Sequence, residues 1–145
     1  MMKYGMMSAL LLVVQPAYAQ LNSPIAPSTP TVGSEIKRGA DAGERCASLF
    51  MMPTKRDGFA NCIDSSQAAN RQRMGNGNDA FDLGIYLIAK RNMDVAAEVM
   101  KPRAAAIEIS ILEGRSSLYE IKMRHARERL NVSEADVERA AILGS

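Results

Sequence analysis

The sequence predicts an all-α protein, a small bundle of about five to seven helices with one intrachain disulfide, Cys46–Cys62. Three features carry the prediction. No segment alternates apolar and polar residues long enough to make a strand. Helix start and stop signals punctuate the chain from residue 34 to its end. The run Phe81–Ile88 is apolar nearly all round, as a helix buried among other helices must be.

Residues 1–19 read as a secretory signal peptide. Lys3 is their only charge, an apolar run follows from Met6 to Val14, and Ala17-Tyr18-Ala19 places small residues at a cleavage site between Ala19 and Gln20. The run is too short to span a bilayer, which takes about 20 apolar residues. An ordinary buried N-terminal helix is the competing reading. Cleavage would remove Lys3 and take the formal net charge from +2 to +1, a balance that implies no polyanionic partner. Residues 20–34, with three prolines and no charge, read as a flexible Pro/Ser/Thr-rich leader. Residues 35–145 are then the helical domain.

In that domain, Ser34 to Met52 is the first helix, with Ile36, Ala40, Ala47 and Phe50 or Met51 inward and Gly39 and Gly43 weakening its first half. Pro53 and Asp57-Gly58 make a turn, because proline fixes φ and Asp-Gly tolerates unusual backbone. The second helix runs from Asp57 or Gly58 to Arg73, with Phe59, Cys62, Ile63 and Ala69 inward. Gly75-Asn76-Gly77-Asn78 breaks the chain. A third helix starts at Asn78 or Asp79, and its Gly84 would let another backbone approach closely. Asn92 interrupts it, and Met93–Met100 makes a short fourth helix. Pro102 suits the first turn of a fifth, which carries Ile107, Ile109, Ile111 and Leu112 and ends near Gly114. Ser116 or Ser117 opens a sixth, to about Leu130. Ser133 with Asp136 forms a near capping box for the last helix, flanked by Val132 and Val137, and Gly144 ends it.

The cysteines sit one on each arm of the first helix pair. In an oxidising compartment such thiols pair. Zinc needs four ligands, and neither C-x-x-C nor C-x-x-C-H occurs. An intermolecular bridge or two buried thiols are the alternatives to the Cys46–Cys62 crosslink.

Other candidates for chemistry reduce to structural roles. Asn76, Asn78, Asp79 and Asp82 lack the spacing of a calcium loop and read as a loop with a helix N-terminus. His125 is the only histidine. Ser116 and Ser117 lie too far along its helix to form a triad with it and Glu128. Tyr119–Arg129 is basic, but Glu120–Arg124 and Arg124–Glu128 stand at i, i+4 and read as a salt-laced exposed face rather than a nucleic-acid site. Leu83–Met100 resembles a tetratricopeptide-like helix pair in Leu83-Gly84, an aromatic and Ala96. Its tyrosine is one place out of register and no second copy follows, so no family is assigned.

The expectation is a small exported protein, periplasmic or secreted, that acts by binding another protein as an accessory of a bacterial envelope or secretion assembly. An inhibitor or immunity protein against a toxin or envelope enzyme is the alternative. An enzyme using Glu108, Glu113 or His125, or a carrier of lipid ligands in an aliphatic bundle, stands behind these. No catalytic constellation, cofactor, metal site, nucleic-acid partner or membrane-spanning segment of the mature chain is expected.

Overall fold

The computed structural model describes residues 31–50, 56–75 and 78–145, which form five α-helices. We label them α1 (Val32–Phe50), α2 (Arg56–Met74), α3 (Asp79–Met100), α4 (Ala106–Leu130) and α5 (Glu134–Leu143). No strand occurs among the described residues. The signal segment, the Ala19–Gln20 cleavage site and the leader up to residue 30 lie outside them, as do residues 51–55, which include the expected end of the first helix and Pro53, and residues 76–77.

α1 starts two residues before the expected Ser34. The Thr31 hydroxyl accepts from the Ser34 backbone N–H and the Ser34 hydroxyl accepts from the Thr31 N–H, each at 3.0 Å, so the pair satisfies two backbone donors at the helix entrance. Residues 32–34, expected in the leader, therefore belong to the helix. Gly39 and Gly43 do not fray it. They lie where α1 crosses α3. A Cβ at Gly39 would land on the carbonyl oxygen of Phe81, and one at Gly84 on that of Ile36. A Cβ at Gly43 would come within 2.8 Å of the Ile88 Cβ. The absence of side chains at these positions lets the two backbones touch.

α3 is the central helix, as its composition requires. Residues Ala80–Ala89 are buried without interruption, and its most extensive contacts are with α1 and α4. Asn92 does not break it. The Asn92 amide donates to the Ile88 carbonyl at 2.8 Å, and the helix continues to Met100. The expected third and fourth helices are thus one, and the tetratricopeptide-like helix pair does not form. Pro102 lies in the turn after α3 rather than in a helix, and α4 begins at Ala106. Gly114 does not end a helix either: α4 passes through it, joining the expected fifth and sixth into one 25-residue helix. Asn131, in the left-handed region at φ 54°, closes α4.

α4 returns antiparallel along α3. Tyr119 and Tyr86 rings lie 5.9 Å apart, Arg129 pairs with Asp79 at 2.9 Å, and the Ser116 hydroxyl donates to Asp94. α5 opens with the capping box: the Ser133 hydroxyl accepts from the Asp136 N–H at 3.1 Å, and the Asp136 carboxylate accepts from the Ser133 N–H. Val137 and Ala140 bury this short helix, and its contacts lie mainly on α1.

Candidate functional site

α1 and α2 form an antiparallel pair with a constant register. Cys46 meets Cys62 in a disulfide with a Cα–Cα distance of 5.6 Å. Eight residues back along α1 and eight forward along α2, the Arg38 guanidinium donates to Asn70 Oδ1 at 3.3 Å. Three residues further on, Glu35 meets Arg73 at 2.9 Å. The pair is therefore closed at one end by sulfur and at the other by charge.

Between these closures lies a cleft of about 260 Å³ lined by Arg38, Ala42 and Arg45 of α1, Ser66, Ala69, Asn70 and Arg73 of α2, and Phe81 beneath. Each helix contributes one face: i, i+4, i+7 on α1, and i, i+3, i+4, i+7 on α2. The space exists because Ala42 and Ala69 put methyl groups where larger side chains would interlock. Ala69, expected inward, is exposed on the cleft wall.

Three guanidinium groups thus line one small concavity. Arg38 and Arg73 both donate to the buried Glu35 carboxylate, at 2.9–3.1 Å and 2.9–3.0 Å. Arg38 also lies 5.7 Å from the centre of the Phe81 ring. The shared Glu35 neutralises one of these two cations, and Arg45 adds a third. The Ser66 hydroxyl, 3.8 Å from Cys46 Sγ, supplies a further polar atom, whereas the buried Asn70 amide is engaged by Arg38, Arg73 and Asn78. Planar guanidinium groups in this arrangement suit a carboxylate or another planar anion.

Below the cleft the polar groups are paired with one another. Gln67 donates to Asp82 at 3.0 Å and Asn70 to Asn78 at 2.7 Å, while Asn78 in turn donates to the Gly75 carbonyl. Burial pushes the Asp82 carboxyl above the usual carboxylate value, despite the Gln67 hydrogen bond and the Arg71 and Arg129 charges that oppose it. Burial likewise pushes up the Tyr86 hydroxyl. Asp82 stands in the first turn of α3, where the sequence places it, and is buried there as an internal anchor.

The three residues named for a possible enzyme do not converge. All are on α4, where Glu108 is half-buried and Glu113 and His125 are exposed. Glu108 and His125 stand roughly 25 Å apart along the helix axis, at 1.5 Å rise per residue. Glu108 borders a separate hollow of about 280 Å³ with Val99, Met100, Arg103 and Ala104. Among the described residues no cluster of three metal-ligating side chains occurs, and no helix is long and apolar enough to cross a membrane. In the basic stretch, Glu120 pairs with Arg127 at 3.8 Å rather than with Arg124.

The arginine cleft was not singled out from the sequence, though a signal for it exists. Counting outward from an assumed Cys46–Cys62 bridge in antiparallel register places Arg38 beside Asn70 and Glu35 beside Arg73. The fold and the cleft together define a disulfide-pinned helical domain with a cationic concavity. No protein family, curated protein or solved structure matches the chain.

Proposed function

We propose that the chain is an exported helical module that binds another protein, as an accessory of a bacterial envelope or secretion assembly, and that the arginine cleft receives an acidic side chain of that partner. The observation that carries the reading is the set of Arg38, Arg45 and Arg73 around one concavity with Glu35 as the shared internal counter-charge. Interface anchors are enriched in arginine, and a guanidinium held by neighbours loses less entropy on binding than a free one. The disulfide is compatible with export, since such links persist outside the reducing cytosol.

Arg45 is the residue to test, because Arg38 and Arg73 also hold Glu35 and their loss would disturb the helix pair. Affinity capture from envelope extract should retrieve a partner with the wild-type chain and lose it with Arg45→Glu. The two proteins should melt at similar temperatures, and capture should weaken as salt rises. Capture of nothing by the wild type removes the protein-binding reading, while equal capture by both removes the cleft from it.

A further inference from the structure

We propose that the outer face of α4 pairs antiparallel with the same face of a second copy of this chain. α4 is apolar on two opposite sides. Leu112, Tyr119, Met123 and Ala126 are buried on its inner side, whereas Ile107, Ile111, Leu118 and Ile121 retain 71%, 46%, 49% and 43% of their accessible surface. The exposed four are not scattered. With Gly114 and His125, also exposed, they fall at Ile107, Ile111, Gly114, Leu118, Ile121 and His125, a spacing of four, three, four, three and four. That is the 3.5-residue repeat of a coiled-coil seam. It runs about 27 Å at 1.5 Å per residue, and a side chain added at Gly114 would meet nothing within 4 Å.

The seam is complementary to itself in one orientation. In an antiparallel pair, Leu118 faces Gly114 of the second copy, Ile111 faces Ile121, and Ile107 faces His125. Two-fold symmetry makes each contact twice, as an isologous interface requires. Each Leu118 then enters the hole that the other copy's Gly114 leaves. At the flanks Ser110 comes beside Arg124 of the second copy, Ser117 beside its own equivalent, and Glu108 beside Lys122, whose ammonium in the single chain lies 5.6 Å from the centre of the Tyr86 ring. Arg115 lies at the centre and would face Arg115, but its guanidinium is turned to Asp57 on α2, at 3.2 Å. A parallel pair would instead stack Gly114 on Gly114 over a void and set Arg124 against Arg129.

This interface uses none of the cleft residues and stands whether or not the cleft binds a partner. Sedimentation velocity of the purified chain across the micromolar range should show a monomer–dimer equilibrium. Gly114→Leu fills the hole that Leu118 occupies. It should weaken the dimer at least tenfold without lowering the melting temperature of the dilute monomer, and Leu118→Glu should abolish dimerisation. A chain that stays monomeric throughout would overturn the proposal. So would a dimer that Leu118→Glu leaves intact, or one that Gly114→Leu leaves intact or tightens, the last being the outcome for a parallel pair.

Discussion

Gly39 and Gly84 bring backbone against backbone at the crossing of α1 and α3. A methyl group there has no flexible side chain to push aside, so Gly84→Ala should destabilise by about 3 kcal/mol or more in chemical denaturation, the upper end of overpacking costs. Gly114 is the contrast. It is exposed with open space around it, and Gly114→Ala should stabilise the dilute monomer by about 1 kcal/mol through helix propensity alone. The close approach at Gly84 was readable, because a glycine inside an apolar helix has few other uses. The role of Gly39 was not: on an amphipathic helix a contact glycine and a weak spot look alike until the facing helix is known. Asp82 poses the same problem in charge. Its folded-state pKa is raised by burial, so the folded state binds the proton more tightly than the unfolded chain does. Stability is therefore greatest below the unfolded value and falls as pH rises through the raised one. Asp82→Asn, which can still accept from Gln67, should remove that slope from a plot of stability against pH and stabilise the protein at neutral pH.

At the level of helices, the disulfide joins α1 to α2 across a gap that little else fills, because Ala42 and Ala69 leave the cleft open. The crosslinked loop spans sixteen residues, and replacing both Cys46 and Cys62 by serine should cost about 3 kcal/mol by the loop-closure estimate. If the loss were confined to α1 and α2, amide exchange would quicken there first and leave the α3–α4 hairpin protected. The boundaries between helices were legible where a side chain or a left-handed residue caps an end, as at Ser133 and Gly144. They were misread at Asn92 and Gly114. Both residue types break helices in isolation, but tertiary packing along α3 and α4 outweighs a local penalty of about 1 kcal/mol. The two-sided character of α4 was hidden for a related reason. Apolar residues on opposite faces cancel any single helical stripe, so Ile107 and Ile111 looked no different from the buried Leu112.

Across the whole domain, charge and apolar surface are distributed rather than abundant. A formal net charge of +2 for the full chain conceals three arginines gathered at one concavity, and an average composition conceals four exposed aliphatics along one helix. The predicted loss of partner capture in Arg45→Glu and the dimerisation of α4 belong to this scale, since each depends on residues that neighbour one another only after folding. The sequence by itself determined the helical class, the central place of α3, the pairing of Cys46 with Cys62 and most helix ends. These follow from periodicity, capping and the scarcity of other thiols, all of which act within a turn or two of chain or within a single crosslink. Only the tertiary structure decided where glycine marks contact, which acid is buried, and which arginines and aliphatics share a surface. Those outcomes depend on the register between helices distant in sequence, and that register is set by packing all of them at once.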